Sequence, residues 1–576
     1  MEMTGAQIVC ESLKKLGVDV FFGIPGGQNL PLNDALGQCG IRYVLTRHEQ
    51  GACHMADGYA RATGKPGVCF ATSGPGATNL VTGLATAHMD SIPVIAITGQ
   101  VRTGVIGSDA FQEADITGIT RPITKHNFLV KDVKDLRRTM QEAFYIATTG
   151  RQGPVLVDIP VDVQRGKTEW TWEDKITMRS YKPTVKGHPM QIKRAAEMIK
   201  ESKRPLLYVG GGTISSSASP ELKALAEKGN IPVVWTLMAN GAFPPNHNLH
   251  MGPLGMHGKY SANIAMQKAD LLISAGARFD DRVTGALSTF SPHSKKIHID
   301  IDPANISKIV FAHCPVVGDL KSVLGELAQA IPALDHGEWV KEIQSLDEQN
   351  PLAYKKDDVL RPQYVLDELH RLTKGDAIIS TGVGQHQMWA MQWYWCNQPR
   401  QFLTSGGLGT MGYGFPAAVG AKIAFPNRTV VCIEGDGSFQ MTASELATST
   451  VEKAPVLVII LNNFFLGMVR QWQELFYGER YSSSCLVAQG GVMKDQKEPN
   501  PLEDAYTPNF VKLAEAHGAL GIRVTKKDQV VPALEQALKE VRHRTVVLEV
   551  MIDQHEKVFP MVPAGKGLDD IIVDMA

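Results

Sequence analysis

The segment Val430-Val431-Cys432-Ile433-Glu434-Gly435-Asp436-Gly437-Ser438 decides how this chain folds. Its apolar, β-branched start predicts a strand buried on both faces, and the two glycines that follow turn the chain sharply at the strand's end. A second apolar run, 456–461, closes on Asn462-Asn463, which puts Asn463 27 residues after Asp436. A carboxylate at one strand end and a carboxamide at the next supply two hard oxygens of the kind Mg²⁺ takes. The glycines let backbone N–H groups approach a diphosphate bridged by that ion. Taken singly, each motif also reads as an ordinary polar turn.

The 576 residues suffice for several domains of about 100 to 200 residues each. Lys and Arg total 58 against 59 Asp and Glu, a net charge of −1, so no bulk field draws the chain to nucleic acid or anionic lipid. Small molecules and proteins are the expected partners. At 44% hydrophobic and 20% charged residues, the composition is globular and excludes a natively unfolded chain. No apolar run reaches the roughly 18 residues that cross a bilayer, so no membrane association is expected. The first 17 residues, with Glu2, Glu11, Lys14 and Lys15 spaced among apolar positions, predict an amphipathic helix and not an export signal, and the expected location is cytoplasmic. Cys10, Cys39, Cys53, Cys69, Cys314, Cys396, Cys432 and Cys485 are scattered without a CxxC pair and read as free thiols.

Short β-rich runs alternate with helical stretches along the chain, which predicts an α/β protein of three doubly wound parallel-sheet domains. The first covers 1–165, with strands at 18–22, 67–71, 94–98 and 154–159. Residues 166–189, charged and proline-punctuated, read as a linker. A central domain, 190–335, has strands at 206–209, 232–236, 271–275 and 297–302, and the polar stretch 336–360 reads as a second linker. The third domain, 361–576, has strands at 377–380, 429–434, 456–461 and 545–550 and the same layout as the first, without a residue-level repeat.

The pairing of Gly435-Asp436-Gly437 with Asn462-Asn463 matches the signature of thiamine-diphosphate-dependent enzymes. Beside it stand Arg47-His48-Glu49-Gln50-Gly51-Ala52, the run Thr72-Ser73-Gly74-Pro75-Gly76-Ala77-Thr78-Asn79, and Asp109-Ala110-Phe111-Gln112-Glu113. Gly276-Ala277-Arg278-Phe279-Asp280-Asp281-Arg282 and Gly467-Met468-Val469-Arg470-Gln471-Trp472 complete the set. With these motifs the sequence closely resembles, over nearly its whole length, the large catalytic subunits of the acetohydroxyacid synthase (acetolactate synthase) family. The resemblance implies a pyrimidine-binding first domain, an FAD-binding centre and a diphosphate-binding third domain, with thiamine diphosphate, Mg²⁺ and FAD as cofactors. It implies decarboxylation of pyruvate and transfer of the two-carbon fragment to a second 2-oxo acid. Pyruvate as acceptor gives 2-acetolactate and 2-oxobutyrate gives 2-aceto-2-hydroxybutyrate, on the way to branched-chain amino acids.

Roles follow from the same resemblance. Glu49 is implied to hydrogen-bond the pyrimidine nitrogen and relay a proton, although a lone Glu after His48 otherwise reads as a solvated helix start. Thr72, Asn79 and Gln112 accompany it. Val383, Gly384, Gln385, His386, Gly409, Gly435, Gly437, Ser438, Leu466, Gly467 and Met468 are implied for the diphosphate end, with Asp436, Asn463 and Phe465 on the metal. Met411 is similar to the apolar wedge that bends the cofactor, and alone it reads as a core Met. For FAD the matching positions are Arg151, Gly210, Gly211, Gly212, Thr236, Leu237, Met238, Leu254, Gly255, Met256, His257, Gly276, Ala277, Arg278, Phe279, Asp280, Asp300, Ile301, Asp319 and Leu320. There the glycines admit a pyrophosphate and Asp300 accepts ribose hydroxyls. Substrate handling is implied for Gly27, Phe111, Gln112, Met256, Arg282 and Trp472. Arg282 holds the second carboxylate by a charge-assisted fork. Trp472, otherwise a core aromatic, shapes a slot for the alkyl tail.

Glu49 and Asp436 fall in different domains, so the site is expected between subunits of a homodimer or tetramer, and a small regulatory subunit is a further expectation of the family. Three departures stand out: Val161 where the family usually has Lys, Arg102-Thr103-Gly104 in a segment that commonly holds Pro and Arg, and a longer connection at 485–506. They leave open another thiamine-dependent carboligase (glyoxylate carboligase-like), decarboxylase or oxidase, and a catalytically silent paralogue.

Overall fold

The computed structural model describes residues 1–486 and 508–573, and the greater part of the longer connection, 487–506, lies outside the described residues. The described chain forms three six-stranded sheets, each parallel throughout. Their centres are the predicted apolar runs. Val20–Gly23, Gly67–Ala71, Val94–Gln100 and Val155–Pro160 build the first, Pro205–Val209, Val233–Trp235, Leu271–Ala275 and Lys295–Asp300 the second. The third is built on Ile378–Thr381, Val430–Gly435, Leu457–Asn462 and Val546–Met551.

Six further strands are absent from the sequence-based expectation: Arg42–Leu45, His126–Leu129, His250–Pro253, Cys314–Val317, Phe402–Leu403 and Leu520–Val524. All six are sheet edges. An edge strand pairs on one side only, and several here are only partly buried, so they lack the continuous apolar run that marks a central strand.

Numbered along the chain within each sheet, the first and third sheets share the order 2-1-3-4-6-5, and the central one runs 3-2-1-4-5-6. In each, the strand order reverses direction beside strand 1, and crevices open at the carboxyl ends of the strands flanking that point.

Two stretches that read as linkers are partly structured. Lys167–Glu169 pairs antiparallel with Glu2–Thr4, tying the start of the first domain to its end. That short strand also replaces the first turn of the predicted opening helix, which begins at Gly5 with Thr4 as its cap. Within 336–360 lies the helix Gly337–Gln349. Its Trp339, Val340 and Ile343 are buried in the central core, and the Trp339 indole N–H donates to the Pro205 carbonyl at 3.0 Å. One apolar face is enough to dock this helix, and its other face supplies the polar composition of a connector. All eight cysteines are free. No described helix is long and apolar enough to cross a membrane.

The first and third domains meet where helix Glu49–Thr63 crosses helix Gly414–Ala424. A Cβ on Gly58 would lie 2.2 Å from the Ala417 carbonyl oxygen, and one on Gly420 would lie 2.0 Å from that of Met55. Glycine inside a helix costs roughly 0.5–1 kcal/mol against alanine, and here it lets two backbones touch. Gly420→Val is expected to destabilise the protein by about 1–3 kcal/mol or more through overpacking, seen as a lower thermal midpoint. Gly325→Ala, in helix Leu320–Ala330 with its nearest neighbour 3.7 Å away, is expected to hold or raise that midpoint.

Candidate cofactor and substrate site

Strands Ile378–Thr381 and Val430–Gly435 are neighbours at the point of reversal in the third sheet, and the turns after them face one cleft. Its walls include Val383 to His386, Met411, Gly435 to Ser438, Asn463 and Phe465 to Val469. Asp436 begins helix Asp436–Gln440, and a carboxylate there is favoured by the helix dipole. Burial pushes its carboxyl up to about 7, against backbone N–H groups that pull the other way. Its Oδ2 has no hydrogen-bond partner among the described residues. Asn463 Oδ1 accepts the Phe465 N–H at 3.1 Å, and its Nδ2 donates to Gln385 Oε1 at 3.2 Å, which fixes the orientation of the amide. A buried carboxylate with an open oxygen beside an oriented carboxamide fits a hard divalent cation.

Room for an anion comes from missing side chains. A Cβ on Gly435 would lie 2.8 Å from His386 Nδ1, and one on Gly437 would lie 2.7 Å from the Leu466 side chain. Gly384 and Gly409 have φ of 151° and 75°. His386 is driven down to about 3 by burial, hence neutral, and sits 3.7 Å from Glu434, which burial pushes up to about 8.

In the first sheet the corresponding turns follow Val20–Gly23 and Gly67–Ala71. Here Asn79 Nδ2 donates to Glu49 Oε2 at 2.9 Å, and a Cβ on Gly76 would lie 3.3 Å from Glu49 Oε1. Thr72 fills the space a side chain at Gly26 would need, and its hydroxyl accepts the Gln28 N–H. Gly27 begins a short 3₁₀ turn beside it. The Gln112 backbone packs on Gly74, which draws the Asp109 to Glu113 loop to the same place. Phe111 on that loop is 85% exposed. Glu49, Thr72, Asn79, Gln112 and Gly27 are thus gathered at one end of the first sheet. None of them lines the Asp436 cleft, whose walls all come from 383–469.

In the central sheet, Gly210 to Gly212 and Gly276 follow the adjacent strands Pro205–Val209 and Leu271–Ala275. Gly276 has φ of 65°, and a Cβ on Gly212 would lie 2.8 Å from its Cα. Met238 packs on Gly211 and Gly406, so the turn after Thr236 reaches the same crevice. Asp300 ends its strand buried, its carboxyl raised by burial, and accepts from the Asp302 N–H and the Asn305 amide. Arg151 crosses from the first domain to Asp302 at 3.5 Å, and Arg278 pairs with Asp280 at 2.7 Å. Asp319 caps the helix that starts at Leu320.

Each of the three sheets overlaps one matched family model. Residues 3–119 match the N-terminal TPP binding domain of thiamine pyrophosphate enzymes, 192–327 the central domain and 382–550 the C-terminal TPP binding domain. The chain is 50% identical to the acetolactate synthase large subunit of Corynebacterium glutamicum over 99% of its own length and 90% of that protein. It is 46% identical to the acetolactate synthase isozyme 3 large subunit of Escherichia coli over 99% of each. Against the acetolactate synthase of Mycobacterium leprae it is 50% identical, over 99% of this chain and 90% of the other. The chain belongs to the acetolactate synthase large-subunit family.

Met256, Arg282 and the helix that carries Trp472 are joined through a segment near the C-terminus. Met256 takes a hydrogen bond on its carbonyl from the Val562 N–H and donates its own N–H to the Arg282 carbonyl at 2.7 Å. The buried His257 Nδ1 lies 3.2 Å from the Pro560 carbonyl. Gln471, next to Trp472 on helix Gly467–Phe476, exchanges hydrogen bonds with the Val558 backbone and receives one from Gln385 Nε2 at 2.9 Å. An unbroken amide chain therefore links Asn463, Gln385 and Gln471 to the segment beside Met256. The sequence motifs assign Gln471 no role. The buried face of its amphipathic helix, shared with Arg470, is the signal that could have found it. Val161 is 4% exposed and opens helix Val161–Arg165.

The raised pKa of Asp436 has a signed consequence. The metal-free fold binds this proton more tightly than the unfolded chain does, so Asp436 makes the fold less stable as pH rises from about 4 to about 7. A divalent ion takes only the carboxylate. Apparent Mg²⁺ affinity, titrated with thiamine diphosphate present, is therefore expected to fall as pH drops below about 7, by up to about tenfold per unit, and Asp436→Asn is expected to flatten the curve.

Proposed function

We propose that this chain is a catalytic subunit with acetolactate synthase activity, taking pyruvate as donor and pyruvate or 2-oxobutyrate as acceptor. The observation that carries the reading is the open Asp436 oxygen beside the oriented Asn463 amide, at the carboxyl end of the third sheet. Asp436, Asn463 and the Phe465 carbonyl would hold Mg²⁺, with the turns at 383–386 and 435–438 around the diphosphate. When bound, thiamine diphosphate supplies a carbon nucleophile and an electron sink for the loss of CO₂ from a 2-oxo acid. Glu49 holds and moves a proton at the pyrimidine nitrogen, with Asn79 engaging one carboxylate oxygen and leaving the other to the ring. Met411 and Leu466 keep water from the cleft wall. Arg282 orients the acceptor through its carboxylate, and Trp472 sizes the slot for its alkyl group. Gly210 to Gly212, Gly276 and Asp300 fit FAD, which is structural here because the overall reaction carries no net redox change. Since the Glu49 group and the Asp436 cleft have no lining residue in common, a homodimer that pairs one chain's first domain with the other's third is the smallest active unit. A small regulatory subunit is a further partner in this reading.

Incubation with pyruvate, thiamine diphosphate, Mg²⁺ and FAD is expected to yield 2-acetolactate, and added 2-oxobutyrate to divert product to 2-aceto-2-hydroxybutyrate. Acetaldehyde or peroxide as the main product would refute the reading. Glu49→Gln is expected to keep the fold and lower kcat by about 10²-fold or more, since an amide relays no proton. Trp472→Leu is expected to change the ratio of the two products with little change in the unfolding midpoint, and an unaltered ratio would count against the assigned slot.

A further inference from the structure

Glu445 belongs to the third domain, at the end of the short turn Ala443–Glu445, yet its side chain is buried against the first. Its Oε1 accepts the Arg47 N–H at 3.1 Å and the His48 N–H at 3.0 Å. Its Oε2 accepts the Thr448 hydroxyl at 2.6 Å and lies 3.2 Å from the Arg47 nitrogen. A Cβ on Gly51 would lie 2.2 Å from Oε1, so the carboxylate fills the space a side chain there would take. The residue that follows these two N–H groups is Glu49, the first of its helix.

We propose that Glu445 is a positioning residue for Glu49. It grips the backbone just before the proton-relaying carboxylate from the other cofactor-binding domain of the same chain. Without the grip, two partly buried N–H groups at the helix entry lose their acceptor and the start of the helix is free to shift. A misplacement of about 1 Å can cost about 10²-fold in rate when a proton must pass between fixed atoms. The inference rests on the role proposed above for Glu49, and it adds that the third domain of each chain sets the geometry of a group serving the pyrimidine side.

The test is a double-mutant cycle on the full chain with thiamine diphosphate, Mg²⁺ and FAD: wild type, Glu445→Ala, Glu49→Gln and the double variant. Glu445→Ala is expected to lower kcat on pyruvate by about ten- to a hundredfold with KM changed by less than about threefold. Glu445→Gln, whose carbonyl still accepts both N–H groups, is expected to keep about a third of the wild-type rate or more. In the Glu49→Gln background, Glu445→Ala is expected to cost less than about twofold further, because the group it positions is already inert. Additive losses, or an unchanged kcat in Glu445→Ala, would overturn the proposal. Thiamine diphosphate affinity, read by tryptophan fluorescence on the same four proteins, is expected to show the same non-additivity, and additive effects on binding would overturn it equally. Wild type that makes no acetolactate would refute the functional reading alone, and the binding cycle would still decide on Glu445. Should Glu445→Ala not fold, Gly51→Ala displaces the carboxylate while keeping its charge. The same kcat loss, absent in the Glu49→Gln background, is expected, and a loss that persists there would overturn the proposal.

Discussion

Two helices touching backbone to backbone hold this molecule's chemistry in place. Gly58 and Gly420 let Glu49–Thr63 and Gly414–Ala424 meet without side chains between them, and the polar groups along the seam lock the crossing. Arg61 is buried there, paired with Asp57 at 2.6 Å and Asp90 at 2.8 Å, and the Tyr413 hydroxyl donates to Asp57. A buried guanidinium is tolerable only when carboxylates offset its lost hydration, and removing one partner from such a pair is far costlier than the pair is worth. Asp90 also accepts the N–H groups of Gly406 and Gly407, on the segment that runs to Met411. The seam thus fixes both the helix that starts at Glu49 and the strap that ends at Met411.

The clamps across this seam are reciprocal. Glu445 of the third domain holds the approach to Glu49 in the first, and Asp90 of the first holds the approach to Met411 in the third. Each domain therefore sets the working geometry of the other, although their own clefts are separate. The shared strand order explains why such an exchange is available. Two copies of one topology present their crevices at equivalent strand ends, and those ends carry different residues in the two domains.

What is legible in the amino-acid sequence is what is local. The central strands and the turns just after them carry their chemistry in contiguous residues, so Asp436, Asn463 and the glycine turns stand out in the sequence itself, whereas Glu49, after the edge strand Arg42–Leu45, is singled out only by the family resemblance. Edge strands such as Leu520–Val524 do not, because partial burial erases the apolar run. The helix Gly337–Gln349 does not, because a polar outer face dominates its composition. Glu445 and Asp90 act through hydrogen bonds to backbone hundreds of residues away, and nothing in a neighbouring sequence window distinguishes them from solvated acids.

The same reasoning joins two departures that look independent in sequence. Val161 stands next to Asp162, whose carboxylate accepts both the amide and the hydroxyl hydrogens of Thr103. Burial works against that carboxylate, and the Thr103 hydrogen bonds outweigh it and hold its pKa below the ordinary range. The altered 102–104 segment and the altered position 161 are therefore two faces of one wall at the end of the first sheet. A lysine at 161 would bring its ammonium to a site where the present side chain is 4% exposed, and its charge would act directly on the Asp162–Thr103 contact. With valine there, no cation competes for Asp162, and its carboxylate is committed to Thr103.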